Sequence, residues 1–260
     1  MNWRLGVAGS PIAHSLSPQL HVVGLALAGL QGTSQRYELG DGDAAVLREM
    51  MGTSVDAMSI TMPLKSVAAA ICDDLDVCAT SLGVVNSLLW RDDRLLGAAT
   101  DGPGFIDSLH GVFDLGVQNL HVVVLGAGGA ARAIVDSLVH QGAHSIVVLG
   151  RSEANVRQMV SRHPNVVDHM ILYRPVDMIV NTTPVQGRAS VASVMQGVSR
   201  DTIAVDITYE PRMSPWLALH AQYGCRHTNG LAMLAYQAAR QMNWWWGSDL
   251  DGGPLLKALA

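Results

Sequence analysis

The chain has 260 residues, 49% hydrophobic and 15% charged, which suits one large or two modest α/β domains and excludes a disordered or fibrous protein. Its formal charge, 17 basic minus 22 acidic residues, is −5, and no Lys/Arg run departs from that balance, so neither nucleic acid nor an anionic membrane is an expected partner. Cys72, Cys78 and Cys225 lack paired spacing and join none of the histidines in a ligand pattern, which argues for a reducing compartment and against a metal site. The start of the chain has no signal-peptide pattern and no apolar run is long enough to span a bilayer, so cytoplasmic residence is expected.

Residues 5–9 read as a buried strand stopped by Ser10-Pro11. Ser17-Pro18 opens a helix, with Ser17 as N-cap and Pro18 in the first turn; Leu20, Val23, Leu27 and Leu30 follow at helical spacing and are expected to face a core. A strand over 35–39, a helix over 44–51 and a strand over 55–61 come next. The last of these ends at Met62-Pro63, and 64–71 reads as a helix. Lys65 then lies in a first helical turn just past the carboxyl end of a strand, where open α/β sheets bind ligands. Strands over 84–90 and 95–98 are joined by the charged turn Arg91-Asp92-Asp93-Arg94. Pro103-Gly104 and the following helix lead to a second unit, with the boundary near Asp101.

Val122-Val123-Val124-Leu125 is a continuous apolar run, as a parallel strand covered on both faces requires. A helix over 130–141 and a strand over 146–149 complete a βαβ unit. Strands over 178–180 and 203–206 and helices over 216–223 and 231–246 follow. The expected division is 1–100, completed by 230–260, and 101–229.

Gly126-Ala127-Gly128-Gly129-Ala130 lies between that apolar strand and its helix. Glycines there permit a sharp turn and close approach of a pyrophosphate, and the helix start presents N–H groups to it. A third motif glycine is replaced by Ala131, which is small enough for helix–strand packing. A tight turn without ligand is the plain structural alternative. The next strand ends at Gly150-Arg151-Ser152, where an NAD site usually carries a carboxylate. Arg151 instead favours a 2′-phosphate, so NADP is the expected cofactor; Arg157 is a weaker phosphate candidate. The competing reading makes Arg151 an ordinary surface residue and lets Glu153 control the ribose. Lys65 and Asp101 are a candidate proton-handling lysine and carboxylate partner; alternatively they are a solvated lysine and a capping carboxylate at two helix starts.

Several blocks together resemble the shikimate dehydrogenase family. They are Gly9-Ser10-Pro11-Ile12-Ala13-His14-Ser15-Leu16-Ser17-Pro18, Ser59 to Lys65, Val85-Asn86-Ser87-Leu88, Thr100-Asp101-Gly102-Pro103-Gly104 and the glycine loop. Asn181-Thr182-Thr183-Pro184, Asp206-Ile207-Thr208-Tyr209 and the segment 229–239 extend the match through most of the chain, in order. The resemblance implies an α/β fold with an N-terminal mixed-sheet substrate domain, a Rossmann-like NADP-binding domain and a cleft between them. It implies reversible NADP-dependent reduction of 3-dehydroshikimate to shikimate, a step of chorismate and aromatic amino-acid biosynthesis. By motif position, Lys65 and Asp101 would be the catalytic pair. Ser15 and Ser17 would bind the substrate carboxylate, helped by Thr61 and Tyr209, while Asn86 and Gln237 would read ring hydroxyls together with Asp101. For Ser17, N-capping is an equal alternative. Gly126, Ala127, Gly128, Gly129, Ala130, Arg151, Ser152, Thr182, Gly230 and Met233 would serve the cofactor. Tyr236 reads as packing, and Trp244-Trp245-Trp246 as core or interface. A small-molecule substrate and a monomer or homodimer are expected.

The departures are specific. Ser59 stands where the family usually has Asn, which implies one altered substrate hydrogen bond. Ala98-Ala99 replaces polar residues, which implies a looser loop before Asp101. Gly150-Arg151-Ser152 stands where Asn-Arg-Thr is common. A quinate/shikimate or aminoshikimate dehydrogenase is the near alternative, and a low-turnover nucleotide or metabolite binder of the same fold the distant one.

Overall fold

The structure, a computed structural model, describes residues 2–169, 175–183 and 195–259. Pro184, the last residue of one family block, lies outside the described residues. The chain divides into two compact units, Met1–Gly104 with Ala235–Ala260, and Phe105–Leu234. Among the described residues no helix is long and apolar enough to cross a membrane.

The first unit is built on β1 (Asn2–Gly9), β2 (Gln31–Glu38), β3 (Ala57–Ile60), β4 (Asp74–Leu75), β5 (Ser87–Arg91) and β6 (Arg94–Ala98), in the order β2-β1-β3-β5-β6-β4. Strand β1 pairs in parallel with β2 and β3, whereas β5 runs antiparallel to β3 and β6, so the sheet is mixed as expected. The two-residue turn at Asp92 and Asp93 has φ of 51° and 57°, the left-handed pair that a tight hairpin needs. Leu47, Met58, Leu64, Leu88 and Leu95 lie in one core of this unit.

Its helices are α1 (Ser17–Leu27), α2 (Ala44–Thr53), α3 (Lys65–Ile71) and α4 (Val77–Leu82). Two expectations for α1 need correction. Leu16 occupies the N-cap position and Ser17 is already helical, because Leu16 adopts helical backbone one residue earlier. Leu27 is 49% exposed and Leu30 lies beyond the helix; Leu20, His21, Gly24 and Leu25 form the buried face instead. Glycine sets that face, since a Cβ at Gly24 would collide with Met242 Sδ. Strand β4 and helix α4 have no counterpart among the expected elements. Their signals are present: Asp76 accepts the Ala79 N–H as N-cap, and Gly83 closes the helix at φ 67°.

The second unit carries β7 (His121–Leu125), β8 (Ser145–Leu149), β9 (Val166–Val167), β10 (Met178–Asn181), β11 (Ile203–Asp206) and β12 (Arg226–Thr228), all parallel, in the order β12-β11-β10-β7-β8-β9. The order reverses beside β7, so the switch point of this doubly wound sheet adjoins the strand that precedes the glycine loop. Helix α5 (Asp101–Phe113) enters this unit, followed by α6 (Gly129–His140), α7 (Glu153–Arg162) and α8 (Pro215–Gln222). Helix α7 also has no expected counterpart, although Ser152 caps it by accepting the Asn155 N–H. Val122, Val124, Val148 and Val180 lie in one core of this unit and the alternating Val123, Val147 and Ile179 in a second, so the strands are covered on both faces.

Helices α9 (Gly230–Trp246) and α10 (Gly252–Lys257) end the described chain. Trp245 is fully buried and its Nε1 donates to Ser87 Oγ at 2.8 Å, which makes it core rather than chemistry. Tyr236 packs against Gly252, where a Cβ would collide with the ring. Gly104 of α5 lets the backbone of α9 approach closely: a Cβ there would overlap Gln237 Cα and lie 2.6 Å from its nitrogen. Backbone cannot yield as a flexible side chain does, so Gly104→Ala is expected to destabilise the fold by about 1–3 kcal/mol. Thermal unfolding followed by circular dichroism checks this; an unchanged Tm contradicts the close packing.

Candidate active site

Several of the expected substrate-side residues gather at one end of the first sheet. Strand β5 runs against β3 and β6, so Asn86, just before β5, lies at the same end as Thr61 after β3 and Thr100-Asp101 after β6. Lys65 opens α3, and its carbonyl accepts the Val85 N–H at 2.9 Å, which ties its backbone to the residue beside Asn86. Lys65 Nζ donates to Asp101 Oδ2 at 2.6 Å, with the two side chains 25% and 15% exposed. This charge-assisted bond is shielded from most water and is stronger than an open surface pair. Asp101 begins α5, where the positive end of the helix dipole suits a carboxylate. Helix-start placement and pairing therefore coexist in one residue.

Asn86 is buried, and its orientation follows from its partners. Its Oδ1 accepts the Thr100 backbone N–H at 2.7 Å, a group that can only donate. The Nδ2 end must then face Asp101, to whose Oδ1 it donates at 2.9 Å; it also lies 3.0 Å from Thr100 Oγ1 and 3.2 Å from Gln237 Oε1. Lys65, Asn86, Asp101 and Gln237 are thus one hydrogen-bonded group. The Ala98-Ala99 segment is buried, and its attachment to Asn86 is main-chain: Asn86 N donates to Ala98 O at 3.1 Å.

Ser15 precedes α1 and its hydroxyl accepts the Ser17 N–H at 3.3 Å, so Ser15 rather than Ser17 meets a helix-start donor. Arg36 holds Ser15 through its carbonyl, at 3.0 Å and 2.6 Å. Thr61 is held to β1 by its N–H on Ala8 O at 2.9 Å. Ser59 corrects an expectation. Its hydroxyl is turned into the protein interior, 2.5 Å from Gln241 Oε1 and 3.0 Å from His21 Nε2. His21, Arg36 and Gln241 are not among the sequence candidates; Gln241 has a signal, because it stands four residues from Gln237 on one helix face.

The remaining expected residues belong to the second unit. Gly126 has φ 115°, and a Cβ on it would collide with Thr182 Oγ1, so only glycine fits that turn. Thr182 is fixed by its hydroxyl on Leu125 O at 2.7 Å. Among the described residues, chain neighbours aside, no heavy atom lies within 4 Å of a Cβ built at Gly128 or Gly129, and α6 starts there without a side-chain cap. This is the open, N–H-rich cradle that a pyrophosphate would fill. Ala127 packs near Gly150, and Ala130 lies in the first turn of α6. Arg151 is exposed at the end of β8, and Arg132 Nη2 donates to Asn155 Oδ1 at 3.3 Å nearby in α7, which adds a second cation to that side. Gly230 donates its N–H to Thr208 O at 3.0 Å, and a Cβ there would clash with Ile207 O. Met233 is buried in the core of this unit. Tyr209 is half-buried, and burial, with a smaller contribution from Glu210, raises its phenol above the ordinary value. Among the described residues no cluster of His, Cys, Asp and Glu could hold a metal ion.

Known proteins resemble this chain in sequence and fold. The profile described as "Shikimate dehydrogenase substrate binding domain" matches residues 7–88, and that described as "Shikimate / quinate 5-dehydrogenase" matches 110–213. The shikimate dehydrogenase (NADP(+)) of Exiguobacterium sp. is 35% identical, covering 95% of this chain and 94% of that protein. The protein of the same name from Streptococcus thermophilus is 30% identical, covering 97% and 94%. The crystal structure of shikimate 5-dehydrogenase from Thermus thermophilus, in complex with NADP(H) and shikimate, superimposes with a TM-score of 0.88 at 29% identity over 98% of each chain. Full-length likeness in sequence and fold, joined to the braced Lys65–Asp101 pair and the Gly126 turn, leads to one conclusion: this chain belongs to the shikimate dehydrogenase family.

Proposed function

We propose that the chain catalyses the reversible NADP-dependent reduction of 3-dehydroshikimate to shikimate. The observation that carries this reading is the Lys65–Asp101 ion pair held by Asn86, in a chain whose relatives are NADP-dependent shikimate dehydrogenases. When bound, NADPH supplies the hydride. As the substrate carbonyl is reduced, negative charge grows on its oxygen; Lys65 Nζ stabilises that charge and donates the proton. Asp101 keeps Nζ in place, and Asn86 keeps Asp101 in place. In the reverse direction the same nitrogen receives the hydroxyl proton.

Asn86 and Gln237 read ring hydroxyls, and Ser15, Ser17, Thr61 and Tyr209 bind the carboxylate without a permanent cation. A site built this way rejects analogues lacking those hydroxyls, because buried polar groups would be left unpaired. The first unit, Met1–Gly104 with Ala235–Ala260, forms the substrate side and the second, Phe105–Leu234, the nucleotide side. Gly126, Ala127, Gly128, Gly129 and Ala130 receive the pyrophosphate, Thr182 supports their turn, and Gly230 and Met233 flank the nicotinamide. Arg151 and Ser152 hold the 2′-phosphate end.

The quinate reading shares this machinery, and the second matching profile names both substrates. A panel of shikimate and quinate, each with NADP and NAD, tests the proposal. Turnover of shikimate with NADP is expected. Turnover confined to quinate and NAD would move the assignment to the paralogue, and tight binding without turnover to a binding protein.

Two substitutions probe the assigned roles. Lys65→Ala is expected to lower kcat by about 10²–10⁴-fold while leaving the NADPH Kd nearly unchanged. Pre-steady-state rates and cofactor titration separate the two effects, and an undiminished chemical rate contradicts the role. Arg151→Ala is expected to lower the ratio of NADPH to NADH efficiency by roughly tenfold. A constant ratio in steady-state assays contradicts the 2′-phosphate assignment.

A further inference from the structure

Behind the Lys65–Asp101 pair lies a buried polar chain, and its hydrogen-bond direction follows from chemistry. Gln241 Nε2 lies 3.0 Å from Asn86 O, an atom that can only accept, so the nitrogen end of this amide faces Asn86. The oxygen end therefore faces Ser59, whose hydroxyl donates to it at 2.5 Å. The Ser59 oxygen is then left to accept from His21 Nε2 at 3.0 Å. That places the proton of His21 on Nε2 and makes Nδ1 the acceptor for Ser34 Oγ at 2.8 Å. Burial keeps the ring neutral by pushing the imidazole down to about 3, and the hydrogen bonds alone select the tautomer. The Trp245 ring meets His21 edge-on at 5.2 Å, and its own Nε1 is anchored on Ser87.

The other end of the chain reaches the ion pair. Gln241 Nε2 also donates to Gln237 Oε1 at 2.8 Å, the same oxygen that Asn86 Nδ2 approaches at 3.2 Å. One amide thus touches both the main chain of Asn86 and the side chain of Gln237. Asn86 in turn fixes Asp101 Oδ1, leaving Oδ2 to Lys65. Ser59 and Gln241 are 4% and 2% exposed, so water cannot readily replace a lost partner.

We infer that Ser59 and Gln241 are positioning residues for the Lys65–Asp101 pair: hydrogen bonds donate in one direction from Ser34 through His21 and Ser59 to Gln241, whose amide then holds Asn86 O and Gln237 Oε1. This rests on the catalytic role proposed above for Lys65. Removing the Ser59 hydroxyl leaves His21 Nε2–H and Gln241 Oε1 unpaired and lets the Gln241 amide turn. Asn86 and Asp101 then lose their fixed aim, while the nucleotide loop is untouched.

Kinetics and crystal structures of Ser59→Ala and Gln241→Met test the inference beside the wild type. Shikimate turnover by the wild type is scored first, because its absence would count against the proposed activity and not the brace. The expected result is a fall in kcat of about tenfold per folded enzyme, with the KM for NADPH within about twofold. Ser59→Asn, whose amide can both donate and accept, is expected to restore most of the lost kcat. The crystal structures, read without any turnover, should show Asn86 and Asp101 displaced. Folded variants with unchanged kcat and an unmoved Asp101 overturn the inference, as does a loss of Tm alone. If neither variant folds, nitrogen-15 spectra of the wild-type histidines decide. An Nε2–H neutral His21 from about pH 5 to pH 9 supports the chain, and the Nδ1–H tautomer or an imidazolium overturns it.

Discussion

Asn86 is the constraint on which the first unit's chemistry depends. Its main chain joins β3 through Ile60 N–H and β6 through Ala98 O, and its side chain bonds Thr100 and Asp101. One buried residue thus registers the end of β3 and the segment 98–101 against its own strand. Because Thr100 N–H can only donate, the amide has one satisfied orientation, and that orientation aims a donor at Asp101. The lysine–carboxylate pair inherits its geometry from this choice. An exposed pair of the same charges would fluctuate in water and contribute little.

The second unit uses a different device. Steric exclusion, not a hydrogen-bond network, shapes its loop: the φ of Gly126 and its contact with Thr182 leave no room for a Cβ, whereas Gly128 and Gly129 border open space. Glycine is required at the first position by backbone geometry. At the other two its value lies in letting something else approach. Valine-rich parallel strands form the rigid base beneath this loop, and the strand order turns beside it.

Much of this was legible in the sequence for physical reasons. Continuous apolar runs identified β7 and β8, turn residues identified the β5–β6 hairpin, and a Pro-bounded strand end placed Lys65 at a helix start. Short elements were less visible. Two-residue strands such as β4 and β9 have no period to detect, and α4 spans too few residues for an apolar stripe. Helix α1 misled because its core face is made by His21 and Gly24, residues that hydropathy does not count as interior. Ser59 read as a departure that alters one substrate hydrogen bond, yet its partners are 38 and 182 residues away along the chain. Pairings of that range follow from tertiary packing and have no local signature.

The first unit is discontinuous, since Met1–Gly104 is joined by Ala235–Ala260. Synthesis from the amino terminus therefore delivers Ser59, Asn86 and Ser87 long before Gln237, Gln241 and Trp245 leave the ribosome. Until those arrive, the polar atoms they will meet must stay hydrated, and the sheet that carries them lacks its covering helix. The Phe105–Leu234 segment has its own core and can organise during that interval. Completion of the network behind the lysine–carboxylate pair consequently waits for the segment Ala235–Ala260 to emerge.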